Sequence, residues 1–300
     1  MLTKKIQLWE HNNHISLTAY ILDNPNEFKA DKKRPAVIIC PGGGYLGIVD
    51  RESEPVAMRF AANGYHVFVL RYSTYYTEKI SDYNNLPNGN EKSAFPAPWF
   101  DLAKAMVIIK ENADKWCLDS DKITLCGFSA GGHLAAYMGV HWQDDILKKK
   151  FKVHSKFFKP NALILGYPLL DFKVMKDNLL ENPNEFQKRY FEISSKAVFG
   201  NFNPSDKELT ELSPVNYVSS NTPPSFIWHT ADDSFVYVEN SIKFASQLTR
   251  NKVPYELHIF EQGPHGLSLC DETTAGDESH ISPHCSIWFD LAMEWMKKYI

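Results

Sequence analysis

The chain has 300 residues, of which 44% are hydrophobic and 23% charged, and a formal net charge of −4. These values predict one α/β domain over residues 1–300 and exclude a disordered or fibrous chain. The small negative charge supplies no field for nucleic acid or an acidic membrane surface, so neither is expected as a partner. The run Lys148-Lys149-Lys150 lies among aromatic residues and reads as a solvated helix end.

The first ten residues, Met1 to Glu10, hold no apolar run of signal-peptide length. No stretch approaches the roughly eighteen apolar residues of a membrane span. Five cysteines are scattered without paired spacing. Cys40 and Cys126 fall in expected buried strands, so reduced thiols and a cytoplasmic location are expected.

In chain order, Lys5 to Trp9 and His14 to Leu22 alternate apolar and polar residues and predict an antiparallel pair at a sheet edge. Asn24 to Arg34 is a charged loop. Pro35 to Cys40 is a buried strand that runs directly into Gly42-Gly43-Gly44. Glu54 to Ala62 is a helix with Val56 and Phe60 on one face, closed by Asn63-Gly64. His66 to Arg71 is the next buried strand. Residues 73–97 form a long insertion with Tyr75, Tyr76 and Tyr83, read as an ordered flap and a candidate dimer contact. Pro98 to Lys115 is a helix and Asp119 to Asp121 a turn.

Lys122 to Leu125 is a short β-branched strand, followed at once by Cys126-Gly127-Phe128-Ser129-Ala130-Gly131-Gly132 and then by a helix reaching about Gln143. Asp144 to Pro160 is a charged connection, and Asn161 to Tyr167 another strand. A second insertion, about residues 170–223, carries helix near Glu185 to Phe199. Ser225 to Thr230 and Tyr255 to Phe260 are strands, with the helix Glu239 to Arg250 between them. Ser286 to Tyr299 closes the chain as a helix, with Trp288, Leu291, Ala292 and Trp295 on one face. Strands alternating with helices predict a mostly parallel sheet covered on both faces. Both insertions leave the carboxyl edge of that sheet, so they are candidates for a small cap over a site.

G-x-S-x-G between a strand and a helix has a physical meaning: a sharp turn exposes the serine hydroxyl at a helix N-terminus. Ser129 is therefore the candidate nucleophile. A serine hydroxyl needs a base, an orienting acid and donors for an oxyanion. Among 11 histidines, His265 is singled out because Gly263-Pro264-His265-Gly266 follows the last strand. The acid is expected at the end of the preceding strand, where Asp232 and Asp233 compete. Asp233 stands three residues before Val236, in a run similar to the V-P-x-E-x-S that opens a helix in many hydrolases, and is preferred. The N–H of Ala130 is one oxyanion donor. Gly43 and Gly44 are the candidates for the others, since no G-K-[ST] follows and no phosphate loop is present.

Other features read as structural. His133 is assigned to packing, and Arg51, Glu52 and Glu54 to the start of a helix. Tyr45, Tyr75 and Trp99 are candidate substrate-binding aromatics. Cys270, Asp271, His280, His284 and Cys285 fit no zinc spacing, so no metal is expected.

Five segments carry a resemblance: Cys40 to Tyr45, Arg51-Glu52-Ser53-Glu54-Pro55, Gly127 to Leu134, Trp228 to Asp233, and Gly263 to Gly266. Through them the chain resembles the α/β-hydrolase superfamily, and within it the small esterases related to acetyl-xylan esterases and hormone-sensitive-lipase-like carboxylesterases. The resemblance spans residues 40 to 266. It implies a Ser129–Asp233–His265 triad and no cofactor. It also implies hydrolysis of small esters, commonly acetyl groups on sugars or short acyl esters. Pro41 stands where such loops often carry histidine, and Tyr237 where proline is usual. Two rival readings share parts of this pattern. A prolyl-oligopeptidase-type peptidase would need a large N-terminal region for its propeller. A non-catalytic binding protein would have lost a triad member.

Overall fold

The computed structural model describes residues 1–25, 27, 32–78, 87–181 and 184–300. Tyr83 and the tip of the first insertion lie outside the described residues. The strands β1 (Leu2–Trp9) and β2 (Asn12–Ile21) pair antiparallel, with Thr3 opposite Tyr20 and Ile6 opposite Leu17. Six more follow: β3 (Arg34–Cys40), β4 (His66–Arg71), β5 (Leu118–Phe128), β6 (Ala162–Gly166), β7 (Ser225–Thr230) and β8 (Tyr255–Phe260). The described residues build one eight-stranded sheet in the order β1-β2-β4-β3-β5-β6-β7-β8. The β2–β4 pair is antiparallel, and every pair from β4 across to β8 is parallel.

Central strands with apolar residues at every position must be covered on both faces. Side chains alternate along a strand. Ile38, Leu125, Leu165 and Ile227 accordingly join one buried cluster, and Val37, Cys126, Ile164 and Trp228 the other. The helices α1 (Glu54–Ala62), α2 (Ala97–Glu111) and α3 (Ala130–His141) divide between these faces. Val56 and Phe60 of α1 lie with the second cluster, and Leu102, Met106, Leu134 and Met138 of α2 and α3 with the first.

Between α3 and β6, where a charged connection is expected, stands a short helix, α4 (Asp145–Phe151). Its last turn carries Lys148, Lys149 and Lys150, where cations suit the helix dipole. The second insertion folds as α5 (Phe172–Glu181), α6 (Glu185–Phe199) and α7 (Asp206–Glu211). The boundaries of α6 follow from its caps: the Asn184 side chain accepts the Gln187 N–H, and Gly200 ends the helix in the left-handed conformation.

The chain then adds α8 (Glu239–Arg250), α9 (Pro283–Ser286) and α10 (Trp288–Met296). The expected closing helix, Ser286 to Tyr299, is α10, shorter at both ends, and the single turn α9 precedes it. Trp288 of α10 stacks on Trp228 at 5.1 Å and 15°. The turn expected at Asp119 to Asp121 is absorbed into β5 as extra length. Leu118 faces Arg34 and Ile123 faces Ala36, so β5 gains residues against β3. Among the described residues, no helix is long and apolar enough to cross a membrane.

Candidate active site

Ser129 sits between β5 and α3 with φ 52° and ψ −119°. A non-glycine residue in such a region costs about 1–3 kcal/mol and persists only when its surroundings enforce it. Here they do. The Ser129 N–H donates to the Gly166 carbonyl at 3.0 Å, and the Ser129 carbonyl accepts from His133 and Leu169 N–H. The turn is tight enough to require its glycines. A Cβ on Gly131 would lie 1.9 Å from the Cys40 oxygen, and one on Gly127 would lie 2.2 Å from the Gly131 oxygen.

His265 follows β8 on a loop at the same sheet edge. Its Nε2 lies 2.9 Å from Ser129 Oγ, and its Nδ1 lies 2.7 Å from Asp233 Oδ2. The rings of Tyr167 and Phe235 pack against it, with centroids at 5.0 and 5.3 Å. Asp233 is buried, and its Oδ1 accepts the N–H groups of Phe235 and Val236, both at 2.9 Å. Burial pushes its carboxyl up. The charge and hydrogen bond of His265, with the hydrogen bond of His229, more than offset this and hold it well below the usual carboxylate range.

The two candidate acids have different places. Asp232 is exposed and accepts the Gly263 N–H at 2.7 Å, which ties down the start of the histidine loop. Asp233 is the one that meets His265. Sequence reasoning assigned no role to His229. It is fully buried, and its Nε2 lies 2.8 Å from the Val236 carbonyl and 3.3 Å from Asp233 Oδ2. Because a carbonyl only accepts, Nε2 carries the proton, and Nδ1 accepts from the Ser241 hydroxyl at 2.8 Å. Its place four residues before the acid, at the end of a buried strand, is the signal that was available.

Ala130 and Gly44 border the cavity above Ser129. Gly43 borders a wider neighbouring cleft, and its carbonyl accepts from Leu46 and Gly47. Both glycines have positive φ, 125° and 61°. The cavity measures about 50 Å³, and Leu169, Phe172, Met175, Leu179, Tyr190 and Phe191 are among its walls. Most of this roof comes from α5 and α6. Two hydrogen bonds tether α6 to the loops beneath: Ser194 Oγ to the Gly44 carbonyl at 2.5 Å, and Gln187 Nε2 to the Ser234 carbonyl at 2.7 Å. The first insertion joins the same assembly. Phe95 N–H donates to the Val198 carbonyl, and Lys196 pairs with Glu91 at 2.8 Å.

Tyr45, Tyr75 and Trp99 are not on the wall of this cavity. Tyr45 is buried, and its hydroxyl donates to His133 Nδ1 at 2.6 Å. Trp99 is buried beneath the first insertion against Phe100, Tyr137 and His141. Tyr75 packs on Tyr76, with its hydroxyl 3.4 Å from Glu91. All three were read as pocket aromatics from sequence proximity to the insertions. Their rings instead serve the packing that joins insertion to core. His133 is a buried packing residue, as expected. Its Nε2 donates to the Leu212 carbonyl at 2.6 Å, and burial lowers its pKa to about 4.

The five residues considered for zinc are engaged separately. Asp271 pairs with Arg59, His280 meets Arg51, and His284 packs edge-on against Phe260. The Sγ atoms of Cys270 and Cys285 donate to the Ser268 and Gln262 carbonyls. Among the described residues, no group of three or more His, Cys, Asp or Glu is placed to hold a metal ion.

Residues 22–248 match the BD-FAE family. The endo-1,4-β-xylanase B of Butyrivibrio fibrisolvens is 32% identical over 269 residues, which are 88% of this chain and 38% of that protein. This chain spans between 38% and 57% of the length of the first three curated relatives, the other two being esterases of Mycobacterium tuberculosis. Among solved structures, an acetyl ester-xyloside bifunctional hydrolase from Caldicellulosiruptor lactoaceticus is 32% identical. It superimposes with a TM-score of 0.74 over 98% of this chain and 96% of that one. The carboxylesterase Cest-2923 from Lactobacillus plantarum is 27% identical, with a TM-score of 0.80 over 99% and 98%. The parallel sheet, the elbow at Ser129 and these matches have one reading: the chain is an α/β-hydrolase and belongs to the BD-FAE family.

Proposed function

We propose that the protein is a serine carboxylesterase for short acyl esters, acetyl groups on sugars or xylo-oligosaccharides being the favoured substrates. The observation that carries this reading is the line from Ser129 Oγ to His265 Nε2 at 2.9 Å and from His265 Nδ1 to Asp233 Oδ2 at 2.7 Å. The residues 1–300 act as one unit, with the two insertions as its cap.

In the proposed reaction His265 Nε2 takes the Ser129 proton as Oγ bonds to the ester carbonyl carbon. Asp233 holds the Nδ1 proton in place and stabilises the imidazolium. The carbonyl oxygen becomes an oxyanion beside the N–H groups of Ala130, Gly43 and Gly44. Collapse breaks the bond to the alcohol oxygen, which receives the proton from Nε2. Water, deprotonated by the same nitrogen, then attacks the acyl-enzyme and releases the acid, restoring Ser129.

The substrate class rests on the cavity at Ser129 and on the wider cleft that shares the Tyr190 wall with it. The acyl cavity of about 50 Å³ has room for roughly three to five water-sized groups, which suits a short acyl chain. The adjoining cleft is far larger, about 910 Å³, and includes the polar side chains of Asn13, His14, Arg51, Thr74 and Thr77. Such a cleft suits a hydroxyl-rich alcohol. The solved relative described as an acetyl ester-xyloside hydrolase supports the same choice.

Ser129→Ala tests the assignment. Hydrolysis of p-nitrophenyl acetate should fall by about 10⁴-fold or more, with folding intact, and a fluorophosphonate should label the native protein only at Ser129. Retained activity in the variant overturns the reading. On a panel of esters, rates should fall steeply beyond butyrate, and acetylated xylo-oligosaccharides should be deacetylated.

A further inference from the structure

Glu52 was expected to be one of several acids at the start of α1. It is instead buried, at 2% exposure, in the turn before that helix. Its Oε2 accepts the Gly42 N–H at 2.6 Å, and its Oε1 accepts the Tyr167 hydroxyl at 2.7 Å. The Tyr167 oxygen in turn accepts the Ser268 N–H at 2.9 Å. Gly42 opens the turn that carries Gly43 and Gly44. Ser268 stands three residues after His265, and the Tyr167 ring packs on the His265 imidazole. One carboxylate therefore holds a backbone donor of one loop and, through a single hydroxyl, a backbone donor of another.

The fit is close. A Cβ on Gly42 would lie 2.8 Å from Glu52 Oε2 and 3.0 Å from Ser129 Cβ. Burying a carboxylate is costly unless it is paired or hydrogen-bonded. The ionisable groups facing Glu52 are Tyr72 after β4, Cys126 on β5, Tyr167 after β6 and His265 after β8, with Arg51 in its own turn. Burial raises the carboxyl, while the Tyr167 and Gly42 hydrogen bonds and the charges of His265 and Arg51 oppose this. Of these cationic neighbours, only His265 changes charge in the proposed reaction.

We propose that Glu52 is a positioning residue: it locks the oxyanion turn and the histidine loop together and places a second buried anion near the His265 imidazolium. This rests on the reading of Ser129, His265 and Asp233 as the reacting group. It predicts that the effects of Glu52 and Tyr167 on the reaction are shared and fall on kcat rather than on binding. A side chain that merely packed would not move the pH dependence of the base. Removing a nearby anion destabilises the imidazolium, so the acidic limb of kcat/KM should move to lower pH.

The experiment compares wild type, Glu52→Gln, Tyr167→Phe and the double variant on p-nitrophenyl acetate, with thermal unfolding as the check on folding. Glu52→Gln should lower kcat about 10–100-fold with KM little changed, the loss expected from slight misplacement of reacting groups. Tyr167→Phe should lose about tenfold, and the double variant should be no worse than the worse single one, as for residues acting through one bridge. The acidic limb should move down in Glu52→Gln and stay in Tyr167→Phe. Wild-type kcat in Glu52→Gln, a loss confined to KM, an unmoved acidic limb or fully additive losses overturns the proposal. If Glu52→Gln does not fold, wild-type kcat in Tyr167→Phe overturns it alone. An inactive wild-type protein would instead defeat the esterase reading itself, so the two failures are distinct.

Discussion

The floor and the roof of the site are built differently. The floor is the carboxyl edge of β5, β7 and β8 and the loops that leave it. Its groups are backbone-bonded and short-tethered: buried Ser129 to Gly166 and buried Asp233 to Phe235 and Val236, and exposed Asp232 to Gly263. The roof is α5 and α6, inserted between β6 and β7, and it meets the floor through side-chain hydrogen bonds from Ser194 and Gln187 and through the Tyr190 ring packed on Phe235. Chemistry needs the positions of three groups fixed closely. Choice of substrate needs only a surface of the right size. The construction matches that division.

The largest expected effect separates the two adjacent acids of the floor. Asp233→Asn should lower kcat by about 10⁴-fold, because the amide no longer holds the Nδ1–H tautomer or the imidazolium. Asp232→Asn should stay within several-fold, since it weakens one anchor of the loop. Comparable losses from both would erase the distinction.

The next concerns the joint between floor and roof. His133 is held by the Tyr45 hydroxyl on one side and by the Leu212 carbonyl on the other. Its pKa near 4 in the fold is lower than the ordinary value of 6.5. Between these values the unfolded chain binds the extra proton, so its contribution to stability is full above about pH 6.5 and falls as the pH drops towards 4. The change amounts to about 3 kcal/mol. Denaturant unfolding between pH 7 and 4 should show the decline, and His133→Gln should flatten it. An unchanged slope in the variant would place the sensitivity elsewhere.

The smallest effect belongs to the roof. Leu179 is half-buried on the cavity wall, so Leu179→Ala should enlarge the acyl side at little cost to folding. The hexanoate-to-acetate ratio of kcat/KM should rise about tenfold, the scale of one or two methylenes in an apolar pocket. The acetate rate itself should hold. A collapse of the acetate rate would mean that the roof also positions the chemistry.

Much of the floor was legible in the chain. The run Lys122 to Leu125 ahead of Ser129, and the place of His265 after the last strand, mark a carboxyl-edge site without coordinates. The strands β4, β7 and β8 and the helices α1, α6 and α8 have the expected limits, because apolar periodicity and capping residues are local signals. The misreadings are of another kind. Tyr45, Tyr75 and Trp99 were placed by proximity in sequence, which does not say which way a ring faces. Residues 119–121 read as a turn because two aspartates are local breakers, while pairing with β3 carries the strand past them.

The order of the groups, the elbow and the parallel sheet were therefore determined by residue type and spacing alone. Those features depend on backbone geometry within a few residues of each motif. Tertiary structure alone decided which aspartate meets His265, which helices roof the cavity, and that Glu52 turns inward rather than to solvent. Each of those is a contact between segments far apart in the chain, and which segments meet is settled by the packing of the whole sheet.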